Sequence, residues 1–323
     1  MSQPKHILIC RTDSIGDVMV TLPLVGWIKQ HWPEVMVSFA GRSYTRAVIE
    51  ACPLVDHFVN ADELLALPNS AAVQILQDAA YDVAIFAFPD PKWMALIASA
   101  KVKKRIATAK RWASWKYATH RVWFSRKKSD LHEAQLNAYL LQPLGLNNIP
   151  SMGQLLDCVQ LGPQAELPAS FTWASAPFVI LHPKSKGSAV EWGIAAFRGL
   201  AQQLVESGYV VVITGTALEG EAIRNEWDMQ TQGVIDATGE CTLDQLIALI
   251  AQAKALVAAS TGPLHIAAAL GIRAIGLYTP QRPMHAGRWA PLGHNVKVLI
   301  ASHHPQPGEP LDISIAEVVS CVQ

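Results

Sequence analysis

Residues 6–23 read HILICRTDSIGDVMVTLP. A short apolar run at 6–10 gives way to a polar turn at 11–17, and a helical pattern then carries on to about residue 32, entered near Val18. Strand, tight turn and helix in that order form the opening unit of a parallel sheet covered by helices. The same rhythm repeats downstream, with strand patterns at 35–40, 57–60 and 83–88 and helical patterns at 44–52, 61–79 and 93–100. The alternation predicts a doubly wound α/β unit.

Between residues 144 and 177 the pattern fades into Pro, Gly, Ser and Gln, the composition of a linker. A second alternation follows. Its strand patterns lie at 178–182, 209–214, 233–236, 255–258 and 274–278, and its helical patterns at 191–207, 217–227, 243–251 and 263–270. The expected domains are therefore 1–165 and 166–323, two similar α/β units with a cleft between them. A length of 323 residues, half of them hydrophobic, suffices for two cores of ordinary size.

Composition narrows the function classes. The longest apolar stretches are interrupted, as Lys254 interrupts 246–259, and none reaches the ~20 residues of a membrane span. The run at 6–10 is too short for a signal-peptide core, so a cytoplasmic location is expected. Five widely spaced cysteines with no C-x-x-C pair argue against a disulfide framework and a zinc site. Net charge is zero but unevenly spread: residues 1–165 carry 17 Lys/Arg against 13 Asp/Glu. Most of the excess lies in 101–128, where eleven Lys/Arg occur without an acidic residue, interleaved with Trp112, Trp115, Tyr117, Trp123 and Phe124. No nucleic-acid module accompanies this block. An acidic, membrane-borne saccharide suits it better, with Lys103, Lys104 and Arg105 as candidate contacts, and a plain solvated face is the alternative.

Strand-to-helix turns place their residues at the carboxyl edge of a parallel sheet, where ligands bind. In the first turn Asp17 stands near a helix N-terminus, either as an ionised functional carboxylate or as a simple cap. In the second, 182–189 (HPKSKGSA), Ser185, Lys186 and a glycine precede a helix and form a candidate phosphate cradle, although the Walker A spacing is absent. At 214–219 (TGTALE), Gly215 precedes Glu219, which reads equally as a helix-start glutamate on a solvated face. In 259–271 (ASTGPLHIAAALG), Ser260, Thr261 and Gly262 offer hydroxyls and N–H groups, and Pro263 suits a first helical turn. His265 follows in that turn. Arg282 and Arg288 are further anion-binding candidates.

These motifs resemble those of the bacterial lipopolysaccharide heptosyltransferases, glycosyltransferase family 9. RTDSIGDVMVTLP at 11–23 is similar to the family's opening signature, STGPLHIAAAL at 260–270 to its donor pyrophosphate motif, and the HPKS…EW segment at 182–192 to a further donor-domain motif. The sequence departs from the family at Val190, where a basic residue is common, and at Ser260, where aspartate is common. The resemblance implies the GT-B architecture, two Rossmann-like domains facing a central cleft. It implies Asp17 as catalytic base, with Asp13 as its rival, and Arg11 and Asp13 on the acceptor. Gly16, Ser185, Lys186, Gly215, Glu219, Ser260, Thr261, Gly262, His265 and Arg282 fall to the donor.

The implied reaction moves heptose from ADP-heptose to the lipopolysaccharide inner core at the inner membrane surface, with inversion. No cofactor is implied, and no D-x-D sequence that would bridge a metal to a diphosphate occurs. The alternatives are a GT-B transferase with another nucleotide sugar and another cell-surface glycan, or a non-catalytic nucleotide or saccharide binder. A nicotinamide enzyme is disfavoured because no G-x-G-x-x-G follows either first strand.

Overall fold

The computed structural model describes residues 3–126, 128–168 and 171–323. The chain divides into two compact units, Met1–Gln160 and Leu161–Gln323.

The first unit is a six-stranded parallel sheet. Its strands are β1 (His6–Cys10), β2 (Met36–Gly41), β3 (His57–Asn60), β4 (Val83–Phe86), β5 (Lys104–Thr108) and β6 (His120–Val122), in the order β3-β2-β1-β4-β5-β6. Ile7, Leu8 and Ile9 are fully buried, as a central strand covered on both faces requires. Strands β5 and β6 lie inside the basic block and carry no strand signal of their own. β5 opens on Lys104 and Arg105 and buries only its last three residues, and β6 is three residues long.

Punctuation differs from the sequence pattern in three places. The helical pattern that runs to about residue 32 is two helices, Ile15–Met19 and Leu22–His31, because the proline ring of Pro23 supplies no N–H and starts a new first turn. The pattern at 61–79 is also two, Ala61–Ala66 and Asn69–Asp78, divided where Pro68 forces Leu67 into extended backbone. Third, part of the expected linker is folded. The helix Met152–Leu156 has a Ser151–Gln154 capping box and packs on Leu22–His31, and a Cβ at Gly26 would lie 2.4 Å from the Cys158 carbonyl oxygen.

The second unit repeats the plan. Strands β7 (Phe178–His182), β8 (Val210–Ile213), β9 (Val234–Asp236), β10 (Ala255–Ala259), β11 (Arg273–Tyr278) and β12 (Val296–Ile300) are parallel in the order β12-β11-β10-β7-β8-β9. The helix after β7 runs Ile194–Glu206, three residues later than the apolar pattern suggests, since Gly193 at φ +87° bends the chain first. Trp192 is buried edge-on against Phe197 and donates its Nε1 proton to the Ile313 carbonyl at 2.8 Å, which ties the chain's last helix to this core. Among the described residues, no helix is long and apolar enough to cross a membrane.

Candidate functional site

In each sheet the connections reverse direction beside the first strand, between β1 and β4 and between β7 and β10. That reversal leaves a crevice at the carboxyl ends of the strands. Every motif singled out in the turns sits at one of these edges.

At the first edge Arg11 follows β1 and is almost fully buried. Its guanidinium holds Asp13 through Nε at 2.7 Å and Asp17 through Nη2, and its Nη1 lies 3.7 Å from Glu133. Ser14 is the N-cap of Ile15–Met19, so Asp17 is not a cap. It stands at the third helical position, where the Ser14 hydroxyl donates to its Oδ2 at 2.5 Å. Gly16 lies between them, in the first unit, whereas the other residues expected at the donor belong to the second. Tyr44 donates to the Asp13 carbonyl at 2.6 Å and fixes the turn from outside.

The support beneath this turn was not evident in the sequence. Glu133, 1 % exposed, accepts from Arg126 at 2.6 Å, and Arg126 also reaches Asn137 at 2.9 Å. Asn137 donates to the Thr21 hydroxyl at 3.2 Å, which in turn donates to the Asp17 carbonyl at 2.8 Å. A closed circuit from Arg11 through Glu133, Arg126, Asn137 and Thr21 therefore returns to Asp17. The one signal for it is the pair of polar residues four apart, Glu133 and Asn137, on the short helix Glu133–Ala138.

The buried Arg11, the half-buried Arg126 and three carboxylates leave this cluster with one negative charge in excess when all are ionised. Burial pushes Asp13 up to about 6, and the neighbouring Asp17 charge adds to the rise while Arg11 opposes it. Burial alone would weaken the hold of Arg11 on its proton, but Asp13, Asp17 and Glu133 reverse that. A carboxyl raised in the folded state favours folding while protonated, and that contribution is lost as pH rises from its unfolded value near 4 to about 6. Asp13→Asn should therefore gain in melting temperature relative to wild type as pH rises through this window, with a constant difference above it. Thermal melts from about pH 4 to 8 test this, and a difference that does not vary with pH would show that Asp13 titrates normally.

Lys103, Lys104 and Arg105 are not brought to this edge. They lie at the start of β5, the opposite end of the sheet. Lys104 reaches the Pro143 carbonyl at 3.4 Å, and Arg105 donates to the Tyr117 carbonyl at 2.7 Å and the Val102 carbonyl at 2.5 Å. Lys104 and Arg105 thus brace the wall of the unit, and Lys103 is exposed.

At the second edge four neighbouring strands deliver the expected residues. After β7, Glu191 gathers its loop by accepting from Lys184 Nζ at 2.6 Å and from the Ser185 N–H and hydroxyl at 2.8 and 3.0 Å. Lys184 is thereby engaged, whereas Lys186 is exposed in a left-handed pair with Gly187 (φ +51° and +77°). Val190 packs on the apolar core. His182 ends β7 beside the Thr214 hydroxyl at 3.0 Å, and burial pushes it down to about 4, with Glu219 opposing, so it is neutral near pH 7.

After β8, Thr216 and Glu219 form a capping box in which Glu219 Oε2 accepts from the Thr216 N–H at 2.7 Å and its hydroxyl at 2.8 Å. Glu219 is buried, so the solvated-face reading does not hold. Gly215 gives it room, since a Cβ there would stand 3.3 Å from the Glu219 Cβ.

After β10, Thr261 is the N-cap of Gly262–Ala269, with Pro263 in the first turn. Its Oγ1 is buried and makes no hydrogen bond among the described residues. An unsatisfied buried hydroxyl costs about 1–3 kcal/mol, and this one stands among the orphan N–H groups of a helix start. Ser260 is half-buried between β10 and this helix, and His265 is buried one turn into the helix. Arg282 lies exposed after β11, and the Arg288 guanidinium lies 4.9 Å over the Trp289 ring.

Paired Rossmann-like units with a carboxylate site on one and an anion-ready helix start on the other define a GT-B glycosyltransferase. Residues 70–310 match the family model Glycosyltransferase family 9 (heptosyltransferase), and the chain belongs to that family. It is 26% identical over 89% of its length, and 86% of the relative's, to a Haemophilus influenzae protein named "Putative glycosyltransferase". It is 36% identical to Escherichia coli lipopolysaccharide heptosyltransferase 2 over a shorter stretch, 36% of this chain and 35% of the other. The solved structure of E. coli ADP-heptose lps heptosyltransferase II superposes with a TM-score of 0.75 over 98% of this chain and 97% of that one, at 22% identity. The chain is thus a glycosyltransferase of the heptosyltransferase family with the GT-B fold.

Proposed function

We propose that this protein transfers heptose from ADP-heptose to the lipopolysaccharide inner core, with inversion and without a metal ion, at the cytoplasmic face of the inner membrane. The observation that carries the donor half is the unpartnered Thr261 hydroxyl at the start of Gly262–Ala269, beside the loop that exposes Lys186. Helix N–H groups, a hydroxyl and a lysine at one switch point suit a diphosphate. The names of the relatives support ADP-heptose and lipopolysaccharide as donor and acceptor classes.

In this reading Asp17 takes the proton from an acceptor hydroxyl as that oxygen attacks the anomeric carbon. The bond to the diphosphate oxygen breaks on the opposite face, and ADP leaves carrying the electron pair. Arg11 keeps Asp17 aimed. Charge growing on the leaving diphosphate is met by Thr261, the N–H groups of Gly262–Ala269 and Lys186.

Calorimetry with ADP, UDP and GDP, each with and without chelator, tests the donor assignment. ADP should bind tightest and chelator should change nothing. Thr261→Ala should weaken ADP by about tenfold or more, the equivalent of one charge-assisted hydrogen bond. Tighter binding of UDP or GDP would move the chain to another donor within the same architecture, a reading that the departures at Val190 and Ser260 favour.

A further inference from the structure

Three tryptophans within twelve residues, Trp112, Trp115 and Trp123, are 66, 55 and 64 % exposed. They follow the carboxyl ends of β5 and β6, on the same edge as Arg11, Asp13 and Asp17 and two to three strand spacings, about 10–15 Å, to the side. Trp112 and Trp115 are three apart in the helix Trp112–Tyr117 and share a face. The Trp115 and Trp123 rings meet edge to face with centroids 6.1 Å apart, and Trp115 Nε1 donates to the Ala109 carbonyl at 2.9 Å. Lys110 Nζ stands 5.0 Å over the Trp123 ring and Arg121 Cζ 4.6 Å over the Trp115 ring. Arg111, Lys116 and Lys128 are also exposed, and no carboxylate occurs in 101–128.

We infer that this tryptophan and cation patch is the surface by which the protein settles on an anionic lipid bilayer. The inference deepens the proposed function, on which it rests for its purpose: an acceptor carried by lipid has to be met at the membrane. Indole rings favour the headgroup zone, where an apolar body and a polar N–H both find partners, and basic residues beside them are drawn to anionic headgroups. The patch supplies both, and the segment that builds it carries no carboxylate. Single-stranded nucleic acid fits less well, because stacking needs open ring faces and cations already stand over two of the three rings. Docking by this patch would bring the carboxyl edge of the first sheet, with Asp17, down to the lipid surface.

Co-sedimentation of the full chain with phosphatidylcholine vesicles, with and without phosphatidylglycerol, is the test. Wild type should partition onto the anionic vesicles and not the neutral ones, and brominated acyl chains should quench part of its tryptophan emission. Lys110→Gln, Arg111→Gln and Lys116→Gln together should weaken partitioning by about a hundredfold, near fivefold for each charge. Trp112→Ala with Trp123→Ala should lower it at least about tenfold and reduce the quenching. That double variant should keep the wild-type melting temperature, ADP affinity and transfer to a lipid-free acceptor oligosaccharide. Wild type that ignores anionic vesicles, a tryptophan variant that binds them as well as wild type, or equal affinity for a short single-stranded DNA would each overturn the inference. Vesicle binding as expected together with no transfer to either acceptor would instead strike the proposed reaction alone.

Discussion

Asp17→Asn is expected to lower kcat by about 10²- to 10⁴-fold, the contribution of a positioned general base. The substitution keeps the shape of the side chain. The amide oxygen still accepts from Arg11, and the amide N–H₂ donates to the Ser14 hydroxyl in place of the bond now running the other way. Arg11 retains Asp13 and Glu133 as partners, so the fold should lose little. What disappears is the ability to accept a proton. In the proposed function ADP is held mainly by residues of the second unit, so its affinity should stay within about twofold, because the proposed base acts on the acceptor.

The companion variant Asp13→Asn should cost far less, under about tenfold. Asp13 sits in the same guanidinium, but burial and the Asp17 charge hold it near 6, so at neutral pH it serves mainly to balance Arg11. Initial rates with saturating donor and varied acceptor, alongside ADP titrations of both variants, decide the matter. A larger loss in Asp13→Asn than in Asp17→Asn would make Asp13 the base and Asp17 its positioning partner.

How much of this was legible in the sequence depends on how local the physics is. The first turn and the Thr261 helix start are short-range structures in which spacing fixes geometry, and both lie where the pattern placed them. The capping role of Ser14 was missed because Asp17 is also a plausible cap and the helix begins three residues before the apolar rhythm suggests. Strand β5 was hidden by its own charges: Lys104 and Arg105 open it, and their partners, the carbonyls of Pro143, Tyr117 and Val102, come from segments that sequence spacing does not connect to it. The same limit conceals the circuit below Asp17, whose members Arg11, Glu133, Arg126 and Asn137 meet only when helix Glu133–Ala138 packs against the first turns of the unit. Long-range polar pairing leaves no periodic trace, so buried ionic networks are the part of a site that a single sequence shows least.

Glu133→Gln tests that network. The carboxylate is 1 % exposed and stands between two guanidinium groups, 2.6 Å from Arg126 and 3.7 Å from Arg11. A glutamine of the same shape fills the space but removes the carboxylate that Arg126 holds, and breaking a buried pair from one side costs about 3–5 kcal/mol, toward the low end here because the Arg126 side chain is 22 % exposed. For a unit of this size the melting temperature should fall on the order of 10 °C. A purely structural role would end there. A positioning role predicts a second effect: with Glu133 neutral, Arg11 turns its full charge on Asp13 and Asp17, and the Asp13 carboxyl should fall below its value of about 6. The acid limb of the kcat/KM profile, measured at a temperature where the variant is fully folded, should then move to lower pH, while ADP binding by the second unit stays unchanged. A variant that melts like wild type would show that Glu133 does not hold the two arginines. A destabilised variant with an unmoved acid limb would confine Glu133 to the fold and leave Arg11 to aim Asp17 without it.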